Sequence, residues 1–174
     1  MLRIPMIPGV FLWAALSTWG QDNWQVLEGP DKSFRVTGPG KPTYEKMPHR
    51  VAGKEIVVHS YLFIEIPYAF LLGYGDYPAD YFAKRKVEDV LKLDQQRFLK
   101  NTGAKLVIDK LTRYQGKPAA EFVAHSEDNQ SVYQVRMVLV GQRLYVLAVS
   151  FPVNADTKPV VRFLDSFQIL EEKK

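Results

Sequence analysis

Three histidines, His49, His59 and His125, are the residues best suited to metal or acid–base chemistry, and they stand far apart in the chain. Each falls in a segment of strand character, where an acidic residue three or four positions away does not converge with it on one ion. A zinc site from His49, His59 and a carboxylate would need a hairpin to bring them together. Neither ligand count nor spacing meets the usual demands, so no metal and no cofactor is expected. A nucleophile elbow requires glycine two residues on either side of a serine, and no serine has that setting. Cysteine is absent, which removes thiol catalysis, cysteine metal sites and a lipid-modified cysteine. Gly73 and Gly75 precede the strongest helical segment, but without a third glycine or a lysine they make a weak phosphate cradle. Asn129-Gln130-Ser131 fits a glycosylation sequon and also the polar tip of a hairpin, and turn chemistry is the expected role.

Two constellations remain. Asp94 sits in the middle of an apolar helical stripe, where an ionised and unpaired carboxylate would carry a desolvation cost of several kcal/mol. It must therefore reach a cation, a hydroxyl or solvent. A structural polar bridge between helix and sheet is expected, with Arg136, Arg143 and Tyr145 as partners. The second constellation is the aromatic density at Tyr68, Phe70, Tyr74, Tyr77, Tyr81 and Phe82. Tyrosine combines contact area with a polar end, so Tyr68, Tyr74, Tyr77 and Tyr81 are the candidate binding surface. Core and edge packing is the competing explanation, because aromatic strand residues commonly point inward. Asp76 is expected to cap or enter the following helix.

The elements that must position these residues follow from periodicity and turn signals. Strands are expected at 24–27, 33–37, 44–51, 54–64, 68–74, 104–114, 117–125, 131–140 and 143–151. Pro48 confines its strand to an edge, and Gly141-Gln142 suits a two-residue hairpin turn. One long helix is expected over about 78–101. Ala83, Val87, Val90, Leu91 and Phe98 form its apolar stripe, with Lys84, Lys86, Lys92 and Lys100 largely away from it and Gly103 as its stop. A short helix begins near Thr157 with Pro159 in its first turn, and Phe167, Ile169 and Leu170 close the domain as an edge strand. Helices between runs of strands give an α+β class: one antiparallel layer of seven or more strands covered by one long and one short helix.

With 174 residues the chain has the length of one domain able to bury a core unaided. Apolar residues at 47% and charged residues at 24% are those of a folded protein rather than a disordered one. The net charge of +4 is spread along the chain and no nucleic-acid-binding module is present, so no nucleic acid is expected as a partner. Residues 1–20 carry one charge, Arg3, then a short apolar centre and a small-residue end at Thr18 and Gly20. That is the pattern of a signal peptide, too short for the ~20 apolar residues of a bilayer span. The expected mature domain is 21–174, periplasmic or secreted, with no stable membrane span after cleavage.

Four segments carry a resemblance: Gly73-Tyr74-Gly75-Asp76-Tyr77-Pro78, Gly116-Lys117-Pro118-Ala119-Ala120-Glu121, Val140 to Leu147, and Arg162-Phe163-Leu164-Asp165-Ser166-Phe167. Together they resemble a group of exported bacterial proteins with a PsbP-like α/β/α domain, over nearly everything after residue 20. The resemblance implies a binding or assembly factor rather than an enzyme, since known members of the wider fold attach to photosystem II or to a small nuclear GTPase. It brings no active-site residue with it. The expected function is an exported, non-catalytic module that binds another envelope or secreted protein or a small ligand. The alternative is a hydrolase or metal-dependent enzyme with an unconventional site.

Overall fold

The computed structural model describes residues 23–83 and 85–170. The expected signal peptide, 1–20, lies outside the described residues. In chain order the elements are β1 (Trp24–Glu28), β2 (Phe34–Pro39), β3 (Thr43–Val51), β4 (Lys54–Glu65), β5 (Tyr68–Asp76), α1 (Ala79–Phe82) and α2 (Val87–Thr102). There follow β6 (Lys105–Tyr114), β7 (Lys117–His125), β8 (Ser131–Val140), β9 (Arg143–Pro152), α3 (Lys158–Ser166) and β10 (Gln168–Ile169). Among the described residues no helix is long and apolar enough to cross a membrane.

The protein is α+β, built on a seven-stranded sheet in the order β3-β4-β5-β9-β8-β7-β6, and every neighbouring pair in it is antiparallel. Tight hairpins hold the register. At Gln115-Gly116 both residues take positive φ, 49° and 78°, the backbone that matches the right-handed twist of the flanking strands. Pro48 lies in β3, which pairs only with β4 at the sheet edge, where a missing N–H costs no ladder bond.

Alternation along the strands sends two sets of side chains to opposite faces. On one face Phe63, Phe70, Leu72, Leu147 and Val149 pack against Phe34 and Val36 of β2 and against Val160, Phe163 and Leu164 of α3. On the other Ile56, Phe122, Val135, Met137 and Leu139 meet Tyr77, Tyr81, Val90 and Leu91. The expected single layer is therefore corrected. Strands β1, β2 and β10 form a separate three-stranded sheet lying on the α3 face, and the terminal strand pairs with β2 rather than with an edge of the main sheet. The physical reason is that Phe34 and Val36 are fully buried against the main sheet's face, which a strand extending that sheet edge to edge would not achieve.

The expected long helix is also corrected: it is two. Lys86 is extended (φ −73°, ψ 148°) and separates α1 from α2, so Ala83 is exposed between them instead of lying on the stripe. Glu88 and Asp89 in the first turn of α2 suit a helix start there. At its other end α2 stops at Gly103, left-handed at φ 66°, whose N–H reaches the Leu99 carbonyl.

Candidate ligand-binding cleft beside α2

Helix α2 covers only part of its face of the sheet. Its side chains pack over β6, β7 and β8, where the Phe98 ring stands edge-on to Phe122 and Tyr133. The β3–β5 part of the face is left open, and a cleft of about 520 Å³ runs there between α2 and the sheet. Strand register explains its depth. Across the sheet, Met47, Val58, Gly75 and Leu144 form one row of opposed residues, and Ser60, Gly73, Val146 and Met137 form the next. Each row has a glycine at its centre, so the floor is a trough. A Cβ built at Gly73 would meet only the His59 carbonyl, at 3.7 Å, within 4 Å.

Asp94 reaches this cleft from α2. It is only 7% exposed, and its Oδ1 accepts hydrogen bonds from the Tyr77 hydroxyl at 2.8 Å and from the Arg97 guanidinium at 2.7 Å. Its Oδ2 is buried with no hydrogen-bond partner. Burial pushes the Asp94 carboxyl above the usual carboxylate range, against the opposing pull of Tyr77 and Arg97. The Tyr77 hydroxyl is raised by burial and by the Asp94 charge. Burial pulls the Arg97 guanidinium down, but the hydrogen bond and charge of Asp94 outweigh it and hold Arg97 more firmly protonated. His49, Arg50, Lys100 and Asn101 line the exposed rim. Two smaller hollows, about 410 Å³ beside Tyr44 and Tyr61 and about 190 Å³ beside Asp109 and Glu121, have no buried unpartnered side-chain atom among the described residues.

The expected bridge of Asp94 with Arg136 and Arg143 does not form, because both arginines lie on the opposite face of the sheet. Arg136 follows Val135 and precedes Met137, whose side chains face α2, so its own points toward α3. There it donates to Glu121 and to the Leu164 carbonyl, both at 2.6 Å, and its guanidinium lies 4.3 Å from the Tyr114 ring centre. Arg143 forms a bidentate pair with Asp76 at 2.6 and 2.7 Å and also reaches Asp31 and Ser33. Asp76 is thus the end of β5 held by Arg143, and α1 carries no side-chain cap. The true partner of Asp94, Arg97, stands three residues along the same helix, a spacing at which helical side chains meet.

The aromatic candidates do not make one surface. Tyr74, Tyr77 and Tyr81 are 4%, 7% and 3% exposed, so they are core residues, and the chain turns between them so that two faces share them. Tyr68 packs its ring on Phe70 and Phe151 and donates to the Asp156 carbonyl. Tyr74 stacks on His59 at 4.6 Å on the α3 face, whereas Tyr77 and Tyr81 stand edge-on to each other on the α2 face. Of the four, Tyr77 borders the cleft with its side chain on that face, and Tyr74 lines it along β5 between the two glycines.

Gly73 and Gly75 are paired on both sides within β5 and do not stand at a helix start. His49 shares the cleft face with Val51, while His59 turns to the other face and meets the Tyr44 hydroxyl, so the hairpin separates the two as ligands. Among the described residues no group of three or more His, Cys, Asp or Glu could hold a metal ion. Asn129 has φ 55° in the β7–β8 turn, where the Asp128 carboxylate accepts from Ser126 and the Gln130 N–H.

No protein family and no curated protein matches the sequence. Solved structures do match. The chain is similar to the solution structure of cyanobacterial PsbP (CyanoP) from Synechocystis sp. PCC 6803, with a TM-score of 0.58 and 14% identity over 91% of this chain and 99% of that one. A structure from Bacteroides thetaiotaomicron VPI-5482 is similar at a TM-score of 0.42 and 11% identity, over 87% of this chain and 50% of that one. The likeness to CyanoP spans nearly the whole of both chains and shows a PsbP-like fold.

Proposed function

We propose that this chain is an exported, non-catalytic binding module and that the cleft beside α2 is where it takes a small ligand. The observation that carries the reading is the buried Oδ2 of Asp94, left without a partner at the wall of a 520 Å³ trough. Buried carboxylate oxygens are paired in the great majority of cases, so an orphan beside a concave, mostly apolar site calls for a donor from outside the chain. Export is supported by the charge, apolar centre and small-residue end of residues 1–20. The PsbP-like fold is consistent with the non-catalytic part of this reading.

Blocking the trough tests the reading. Gly73 lies in regular strand backbone with open space above it, so Gly73→Phe fills the floor with a residue that strands favour. The uncharged, environment-sensitive fluorophore N-phenyl-1-naphthylamine is expected to bind the wild-type protein and to bind Gly73→Phe at least about tenfold more weakly, a difference of about 1.4 kcal/mol. The melting temperature should stay within a few degrees. Equal binding by the two proteins, or none by the wild type, contradicts a ligand site in this cleft.

A further inference from the structure

Resting on the cleft as the ligand site, we infer that its ligand is an uncharged amphiphile. Its polar end, a hydroxyl or an amide N–H, donates a hydrogen bond to Asp94 Oδ2, and its hydrocarbon part lies along the glycine trough. Asp94 lines the cleft from α2, and the donors that reach it, Tyr77 and Arg97, both go to Oδ1. Oδ2 is left to accept from what enters. An acceptor buried without a donor carries its full desolvation penalty, so a ligand that supplies the donor gains most there. The rest of the floor is hydrocarbon. Along β5 the cleft-facing positions run Gly75, Gly73, Leu71, about 13 Å at ~3.4 Å per residue. Val58 beside Gly75 and Val146 beside Gly73 are half-buried, and Met47, half exposed, stands opposite Val58 on β3. Apolar side chains left part-covered on a concave surface are what a hydrocarbon chain would bury.

The charges around the cleft balance, and that disfavours a charged head. Alternation along β3 puts Glu45, Met47 and His49 on the cleft face with Val51 and turns the Arg50 side chain to the other face. Glu45 stands opposite Ser60, in the row that contains Gly73. From α2 come Asp94, Arg97 and Lys100. Among the described residues, Asp94 and Glu45 are thus matched by Arg97 and Lys100, with His49 beside them. An anionic head has no proton to give Oδ2 and would be set against the charge of Asp94. An ammonium could donate, but it would leave water next to Arg97, whose guanidinium already sits 2.7 Å from the same carboxylate. One carboxylate shared between two cations does not offset that desolvation. A hydroxyl or an amide N–H supplies the donor and brings no charge with it.

The test compares displacement of N-phenyl-1-naphthylamine by four molecules of near-equal size: 1-octanol, its isomer heptyl methyl ether, octanoate and octylamine. The ether accepts a hydrogen bond but cannot donate one. Octanol is expected to displace the probe at a concentration at least about tenfold lower than the ether, the scale of one hydrogen bond to a charged acceptor, and at a lower concentration than octanoate or octylamine. Ratios between competitors are read, so the probe's own affinity cancels. Asp94→Asn keeps the side chain's shape. With its oxygen accepting from Tyr77 and Arg97, its NH2 takes the place of Oδ2 and donates, so alcohol and ether should then act within about threefold of each other. The wild-type comparison stands whether or not that variant folds. Equal displacement by octanol and the ether overturns the donor while leaving the cleft in place. Octanoate or octylamine matching or exceeding octanol overturns the uncharged head. Failure of the probe to bind, or binding unaffected by Gly73→Phe, removes the cleft reading and this inference with it.

Discussion

Phe34→Ala is expected to destabilise the protein by about 3–5 kcal/mol, the range for removing a buried aromatic ring. Phe34 is fully buried in β2, and its ring lies 5.5 Å from Tyr74, 5.8 Å from Tyr145, 6.1 Å from Tyr61 and 6.4 Å from Phe167. One side chain thus joins the small sheet to three strands of the main sheet, β4, β5 and β9, and to the segment after α3. Packing around it is close enough that a Cβ added at Gly29 would come within 2.5 Å of the ring, which leaves little room for the surroundings to collapse into a cavity. Since whole-protein stability is only about 5–15 kcal/mol, the melting temperature should fall on the order of 10 °C at ~2–4 °C per kcal/mol. Below that transition the variant should still bind N-phenyl-1-naphthylamine, because Phe34 lies on the face opposite the cleft. A loss under about 1 kcal/mol in urea unfolding would mean that the small sheet is not part of the main core.

Arg143→Met is expected to cost about 2–3 kcal/mol at neutral pH, and the cost should shrink in acid. The side chain holds Asp76 at the end of β5 and Asp31 and Ser33 in the turn before β2, and it lies 4.8 Å from the Tyr74 ring centre. It is a polar tie between the two sheets. Each charged hydrogen bond would contribute roughly 1.5–3 kcal/mol if buried. The sum is discounted because the side chains of Asp31 and Asp76 are 42% and 58% exposed and are screened by water. The pH dependence follows from Asp31. Burial would push its carboxyl up, but hydrogen bonds from Ser33 and Arg143, with the Arg143 charge, bring it from 3.8 down to about 2. A carboxyl lowered by folding stabilises the native state fully above its unfolded value, and that contribution is lost as pH falls through about 4 toward about 2. Urea unfolding of both proteins should therefore show free energies that converge over this window. Parallel curves would mean that Asp31 draws nothing from Arg143.

Much of the scaffold was legible from residue order alone, for reasons that particular residues make clear. Gly141-Gln142 and Gln115-Gly116 mark hairpins because their backbones suit twisted two-residue turns, and the apolar alternation around them is long enough to fix both strands. The burial of Asp94 followed from its place on the α2 stripe. Its partner could have been read too, since Arg97 is three residues away. Period-two alternation was also available to exclude Arg136, which is flanked by Val135 and Met137 on the face that meets α2. Tyrosine density between 68 and 82 misled because composition does not say which way each ring faces, and the faces change where the chain leaves β5. The small sheet was hidden for a different reason. Alternation in β2 shows that Phe34 and Val36 point inward, but not whether the strand extends a sheet or packs on it. The cleft depends on where α2 crosses the sheet, a tertiary outcome. Only the same-face spacing of Gly73 and Gly75 signalled it, as a place where a strand lacks side chains.

Amide shifts of the 15N-labelled protein titrated with N-phenyl-1-naphthylamine test most directly whether the ligand lies in the glycine trough beside α2. The expected result is that the amides of Gly73, Gly75, Val146 and Asp94 move together and saturably, while those of Phe34, Arg136 and Asp165 on the far face stay still. Movement confined to the far face, or to the edge strand β6, would contradict it.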